Sequence, residues 1–316
     1  MIQSIHSRLE SFRQQGRAPA GSLIVTVFGD SVLPRGGRIW LGSLIRLLKP
    51  LELNERLVRT SVFRLAKNQW LQAEAHGRRA DYVLTHSGRL RFEEASRHIY
   101  ASRIPVWDHR WRLILIVGEL STRERERLRQ ALAWQGFGIL NGDCFVHPST
   151  DLVAAFDALV ADGLSSLLGR LMPLVAADSR SALSATDVDL VGRAWNLDKL
   201  AQAYSAFVAD YLPILAELRR DHSARIDAEE AFLLRILLIH DYRRLLLRDP
   251  ELPDVLLPPD WPGQTARMVC CELYRRLFEP SEAHLDKTMH LADGTVPPRQ
   301  IMADERFPAN DLLPVA

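Results

Sequence analysis

The run Asn54 to Trp70, NERLVRTSVFRLAKNQW, constrains the fold more than any other stretch of the chain. As a helix opened by Asn54 with Glu55 in its first turn, it sets Val58, Val62 and Leu65 on one stripe and Arg56, Thr60, Phe63, Arg64 and Lys67 on the other side. One side packs and the other carries charge. A shorter helix precedes it, Trp40 to Lys49, closed by Pro50; it buries Leu41, Leu44, Ile45 and Leu48 and leaves Ser43, Arg46 and Lys49 outside. An alternating run from Trp70 to Ala75, a turn His76-Gly77-Arg78-Arg79 and a second run from Asp81 to Thr85 follow, as in a hairpin. Helix, tight connection, helix and basic-tipped hairpin is the layout of a winged helix-turn-helix. In that motif the second helix enters the major groove of DNA while the hairpin grips the flanking backbone.

An Arg-rich helix face is also what ordinary solvated surface presents, so the charge balance matters. Residues 1–100 hold 16 Lys+Arg against 8 Asp+Glu, while the remaining residues hold 24 against 31, giving the chain's net +1. A basic module on a near-neutral chain suits a polyanionic partner, because phosphate neutralisation dominates affinity for nucleic acid. The residues expected to touch DNA are Arg56, Arg59, Thr60, Arg64 and Lys67 of the helix and Arg78 and Arg79 of the hairpin. Arg56, Arg59 and Arg64 can each fork onto a guanine edge or a phosphate, and Thr60 can offer its hydroxyl or methyl group to a base. Gly77 permits the tight turn that lets Arg78 and Arg79 project towards phosphate. Phe63 falls among these polar residues, where a large apolar ring is costly unless it packs on the wing, a thymine methyl or a partner subunit; packing on the wing is its expected use.

GGRIWLGSLIRLLKPLELNERLVRTSVFRLAKNQWL, followed by YVLTHSGR, resembles the N-terminal domain of the PaaX family, repressors of phenylacetate catabolism in bacteria. Two later segments extend the resemblance. WRLILIV with LAWQGFGILNGDCFVHP resembles that family's middle domain, itself similar to the small nuclease-like module of CRISPR adaptation systems; IHDYRRLLLRDPELP, LLPPDWPG and LYRRLFEPSEAHL resemble its C-terminal domain.

At 316 residues, with 47% hydrophobic and 25% charged residues, the chain is long enough for two or three globular domains. The expected fold class is α+β: a winged helix-turn-helix, a central ferredoxin-like βαββαβ domain and an all-α C-terminal domain. No apolar run approaches the roughly 20 residues that span a bilayer, and MIQSIHSRLESFRQQ lacks the apolar core of a signal peptide, so no membrane partner and a cytoplasmic location are expected. The three cysteines, Cys144, Cys270 and Cys271, make neither a disulfide framework nor a metal-ligand spacing and read as buried or incidental thiols.

Residues 1–19 read as a frayed or weakly helical arm, with the winged helix-turn-helix over 20–103. Within that domain Ser22 to Gly29 is β-branched enough for a strand, yet the context asks for a buried first helix. Thr85 caps a third helix, His86 to Tyr100. The middle domain, 104–176, reads as a strand (Trp111 to Val117), a helix capped by Ser121 (Thr122 to Gln135), a hairpin (Phe137 to Leu140 and Cys144 to His147) turned at Asn141-Gly142-Asp143, a helix (Asp151 to Ala161) and a closing strand within Leu164 to Val175. Residues 176–186 form a small-residue linker. The helical domain, 187–285, holds a helix opened by Trp195, a central helix from Ala228 to Arg248, a proline-punctuated crossing and a helix from Gln264 to Phe278; residues 286–316 read as a disordered tail. Arg235 lies inside the apolar run FLLRILLI and must be paired or bind an anion.

No nucleophile elbow, Walker loop, Rossmann fingerprint, zinc-helix motif or Cys-x-x-Cys occurs, so a binding protein without cofactor or metal is expected rather than an enzyme. The family resemblance implies a homodimeric repressor on double-stranded operator DNA, released by phenylacetyl-coenzyme A. The phosphates of that thioester need Arg or Lys and its phenyl end an apolar slot, which makes Trp195, Tyr204, Arg235, His240, Tyr242, Arg243 and Arg244 the candidate effector residues. Two alternatives stand beside this: a metal-dependent nuclease-like enzyme using Glu119 or Asp143, and a non-specific architectural DNA binder.

Overall fold

The structure, a computed structural model, describes residues 2–14, 20–100, 106–177, 184–221, 225–299 and 306–307. It divides into two compact units, one of Met1–Ser102, Ser205–Arg244 and Gly263–Ala316, the other of Arg103–Tyr204 and Leu245–Pro262. Helices after residue 187 therefore contribute to both units.

Helix α1 (Gln3–Gln14) replaces the weakly helical arm expected there. Its Ile5, Leu9 and Phe12, spaced for one helix face, are buried and hold it in place; the rest of that arm, 15–19, lies outside the described residues. Helix α2 (Ala20–Val27) is helical despite its β-branched residues, because Leu23, Ile24 and Val27 are all buried and packing outweighs χ1 preference. A wide turn follows in which the Leu33 amide bonds to the Phe28 carbonyl, five residues back, and this turn carries Asp30 into the interior.

Strand β1 (Arg38–Trp40) then leads directly into α3 (Leu41–Leu48), so Trp40 caps the helix instead of lying within it. Helix α4 (Glu55–Lys67), strands β2 (Leu71–His76) and β3 (Arg79–Leu84), and α5 (His86–Ile99) complete this stretch. The sheet is antiparallel in the order β1-β3-β2, with His76 opposite Arg79. The turn expected over four residues is therefore only Gly77-Arg78, and Arg79 belongs to a strand. Gly77 has φ 60°, the left-handed region that glycine enters without strain.

In the second unit β4 (Arg110–Ile116), α6 (Thr122–Trp134), β5 (Gly138–Leu140), β6 (Cys144–His147), α7 (Leu152–Ala161) and β7 (Leu171–Ala177) follow one another in βαββαβ order. The sheet is antiparallel throughout, in the order β5-β6-β4-β7. Strand alternation gives it two buried faces. Ile114 and Phe145 pack with Leu128 and Leu132 of α6 and Leu159 of α7; Trp111 and Val146, on the other face, pack with Trp107, Leu252 and Val191 of α8 (Asp187–Ala194). Ser121 and Glu124 form a reciprocal capping box at the start of α6. Helix α8, not anticipated, has the same device in Thr186 and Asp189, and Trp195 ends it instead of opening the next helix. Of the linker and the first domain boundary, residues 178–183 and 101–105 lie outside the described residues.

Helices α9 (Leu197–Arg220), α10 (Ala228–Leu246) and α11 (Pro262–Thr288) contribute most of their residues to the first unit. Every residue of α10 from Ala231 to His240 is buried, as an all-round apolar run demands. Helix α11 continues past the expected stop at Phe278 in spite of Pro280, an interior proline that costs about 3 kcal/mol. Buried Leu285 and the ion pairs of Glu282 supply the offset. Beyond it, Met289, Ala292, Arg306 and Phe307 are buried, so this part of the sequence read as a disordered tail is packed; 300–305 and 308–316 lie outside the described residues. Among the described residues no helix is long and apolar enough to cross a membrane.

Candidate nucleic-acid interface

Helix α4 starts where the Asn54 side chain accepts the Leu57 amide at 2.8 Å. It buries Val58, Ser61 and Val62 and packs beside α2 and α3. The opposite face is open: Arg56, Arg59, Thr60, Arg64 and Lys67 are all exposed. Arg59 is held by Glu55 one turn earlier, Nη2 to Oε1 2.6 Å, and the Thr60 hydroxyl donates to the Arg56 carbonyl at 2.8 Å. Phe63 does not pack on the hairpin as expected. It is 67% exposed, because the helix is seated through the buried Val58, Ser61 and Val62, which turns position 63 outward.

The hairpin is anchored at its base. The Thr85 hydroxyl donates to the Gln69 carbonyl at 2.6 Å and accepts the Gly88 amide at 3.0 Å, joining the end of α4 to the start of α5. A side chain at Gly88 would meet the Trp70 carbonyl oxygen at 2.1 Å, so the approach is glycine-dependent. At the tip, Arg78 is exposed and nothing lies within 4 Å of a Cβ at Gly77. Arg79 is also exposed, yet it is tethered: its guanidinium lies 4.6 Å from the Trp40 ring centroid, and Nη1 donates to the Ala292 carbonyl at 3.3 Å. The α4 set and Arg78 thus stand on one helix and one hairpin tip, while Arg79 is partly committed to holding the hairpin.

The same unit holds a buried charge cluster that sequence reading found only in part. The Asp30 carboxylate takes Arg235 Nε at 2.9 Å, the Tyr100 hydroxyl at 2.7 Å and the Tyr274 hydroxyl at 3.0 Å. Arg235 Nη1 donates to Glu282 at 2.7 Å, and the other oxygen of Glu282 accepts from Arg35 at 2.7 Å. Arg306 donates to the Asp30 and Gly29 carbonyls at 2.6 and 2.7 Å. Burial pushes the Asp30 carboxyl up, but Arg235 and Arg306, with the two tyrosine hydroxyls, outweigh it and hold it below the ordinary carboxylate value. The internal network is thus the use of Arg235, though its partners are Asp30 and Glu282 and not residues of its own helix. A lone aspartate in the apolar run SLIVTVFGDSVL was the available signal.

The other candidate effector residues divide between the units. In the second unit the Trp195 indole donates to the Gly136 carbonyl at 3.0 Å, and Tyr204 bonds Asp249 and meets the Trp261 ring edge-on. In the first, Tyr242 is buried against Phe207, Arg243 donates to the Ser22 hydroxyl at 2.6 Å, and Arg244 is exposed. His240, Arg243 and Arg244 share one side of α10 by their spacing. Burial, then Arg243, Arg244 and Arg8, keep the His240 imidazole neutral, its pKa lowered to about 3. Arg8 of α1 was not anticipated here; it donates to Asp241 at 2.6 Å. Of the carboxylates weighed for metal chemistry, Glu119 is exposed and Asp143 is paired with Arg125. Among the described residues no three His, Cys, Asp or Glu side chains gather as a metal site.

Comparison with known proteins matches three successive parts of the chain to family models: PaaX-like protein over residues 19–88, the PaaX protein central Cas2-like domain over 105–165, and the PaaX-like protein C-terminal domain over 195–287. The Transcriptional repressor PaaX of Escherichia coli (strain K12) is 36% identical over 309 residues, covering 95% of each chain. A solved structure of an uncharacterized protein from Mycobacterium tuberculosis shares the fold with a TM-score of 0.50 and 23% identity, covering 77% of this chain and 89% of that one.

Proposed function

The chain belongs to the PaaX family, and from that premise we propose that it is a transcriptional repressor of phenylacetate-degradation genes that binds operator DNA as a homodimer and is released by phenylacetyl-coenzyme A. The observation that carries the reading is the exposed face of α4, where Arg56, Arg59, Thr60, Arg64 and Lys67 stand together beside a hairpin tipped by Arg78. On this reading α3, α4 and the β2–β3 hairpin act as a winged helix-turn-helix. Helix α4 lies in the major groove, its guanidinium groups reaching base edges or phosphates, and Arg78 grips the backbone.

A homodimer places two such helices in half-sites about 34 to 36 Å apart or a multiple of that spacing. Edge strand β7 supports a second copy at the middle domain, since Met172, Leu174 and Val175 are exposed on a strand that pairs, among the described residues, along one side only. Arg243 and Arg244 are the cations proposed to meet the phosphates of the effector. The thioester releases the operator by favouring an arrangement in which the two recognition helices are mis-spaced, and its leverage equals its differential affinity for the two arrangements.

Fluorescence anisotropy of the purified protein on its own upstream DNA, with scrambled duplex as control at fixed salt, tests the proposal. Specific binding abolished by phenylacetyl-coenzyme A but not by free phenylacetate is the expected result. Equal affinity for scrambled duplex would indicate an architectural DNA binder, and indifference to the thioester would remove the proposed inducer.

A further inference from the structure

Phe63 is the large apolar side chain that the fold leaves most out of place on α4. It is 67% exposed, whereas Ser61 on the same helix is buried. The arrangement cannot be exchanged by a small rotation of the helix. Ser61 faces Gly21 of α2, whose Cβ position is 3.9 Å from the Ser61 Oγ, and Val58 and Val62 are fully seated. Phe63 is therefore held outward by the same packing that fixes the helix, on the stripe Arg56, Thr60, Phe63 and Lys67 that recurs every three to four residues.

The surroundings select what can meet this ring. Arg56, Arg64 and Lys67 have no carboxylate partner among the described residues, and Arg59 has only Glu55. Contact between two copies through this face would bring like charges together, which argues against self-association. A duplex supplies phosphates for the cations and, in the major groove, one apolar group: the C5 methyl of thymine. Resting on the DNA-binding reading above, we propose that Phe63 reads thymine, its ring packing on a C5 methyl between the phosphate contacts of its neighbours. This makes Phe63 a specificity residue and gives the operator a thymine in each half-site.

The test uses the full-length protein and duplexes enriched by it from a random-sequence pool, in which thymines are replaced one at a time by deoxyuridine to remove only the methyl group. Affinities of the wild type and of Phe63→Ala are measured by anisotropy at fixed salt. The wild type is expected to lose about threefold to tenfold in affinity at one thymine of each half-site. Phe63→Ala is expected to bind the two duplexes equally, at about the affinity of the wild type for the uridine duplex. A wild type indifferent to every methyl, or a Phe63→Ala variant with the full methyl effect, would overturn the assignment. A change in subunit association in Phe63→Ala with the methyl effect intact would assign the ring to a protein contact and overturn it as well. Failure to enrich any duplex over the pool would overturn the DNA-binding reading itself, a distinguishable outcome.

Discussion

Replacing Asp30 by asparagine removes one negative charge from the most enclosed ion cluster of the first unit while keeping its shape. Side chains of Asp30 and Arg235 have no exposed surface, and that of Arg306 only 6%. An asparagine oxygen still accepts from Tyr100 and Tyr274, while its amide nitrogen replaces the oxygen that faces Arg235 and Ser31, so a counter-charge and an acceptor are lost together. Arg235 would keep Glu282, which Arg35 already engages, as its counter-charge beside the Ser31 hydroxyl, and Arg306 would keep carbonyls and a hydroxyl. Leaving buried guanidinium groups short of a counter-charge costs about 3–5 kcal/mol, a large part of the ~5–15 kcal/mol that holds an ordinary domain. Urea unfolding at pH 7, followed by far-UV circular dichroism, is the assay. Adding Arg235→Met to Asp30→Asn should cost less than the sum of the two single changes, because the uncompensated cation is then gone. Since the folded-state pKa of Asp30 is lowered, its contribution is present above the unfolded value and lost as pH falls through the folded one. The deficit of Asp30→Asn should therefore shrink below about pH 4. A loss under ~1 kcal/mol at pH 7, or strict additivity with Arg235→Met, would refute the argument that this cluster is held dry and paired.

Four other outcomes are expected. The His147 ring accepts the amides of Ser149 and Thr150 at Nδ1, and burial, aided by Arg112, lowers its pKa to about 4; stability should fall as pH drops from about 6.5 towards 4, by up to ~1.4 kcal/mol per pH unit, and His147→Asn, whose oxygen can accept the same amides, should flatten that slope in pH-series melts. Arg78→Ala should weaken operator and scrambled duplex alike and reduce the slope of log affinity against log salt by about 0.9. Gly88→Ala should destabilise by about 1–3 kcal/mol in urea titrations, because its Cβ has no room beside the Trp70 carbonyl. Arg244→Ala should leave operator affinity unchanged without effector and raise the phenylacetyl-coenzyme A concentration needed for release about tenfold, read by anisotropy.

Local signals were legible wherever one segment decides its own conformation. The side-chain caps of α4, α5 and α6 stand at Asn54, Thr85 and Ser121, as cap chemistry dictates, and the Asn141-Gly142 turn joins β5 to β6 with both residues at positive φ. The cationic face of α4 was equally legible, since helical spacing alone puts Arg56, Thr60, Arg64 and Lys67 opposite Val58 and Val62. Boundaries set by packing were not. Helix α11 outruns its proline because Glu282 finds Arg35 and Arg235 far away in sequence, and α1 is a helix because Ile5 and Leu9 are buried by packing beyond their own helix.

Most elements, the caps of α4, α5 and α6 and the charge carried by each face thus followed from the sequence alone, because those depend on neighbours within a few residues, whereas α1 and α8 did not. Tertiary structure decided which charges are spent and which are free. Arg235 and Arg243 both belong to α10, yet Arg235 is neutralised by Asp30, more than two hundred residues earlier, whereas Arg243 donates to the hydroxyl and carbonyl of Ser22. Phe63, which the sequence suggested would pack, was left in solvent by the seating of Val58 and Val62. Coulomb and contact energies act through distances in space, and no local pattern records which distant side chain will arrive.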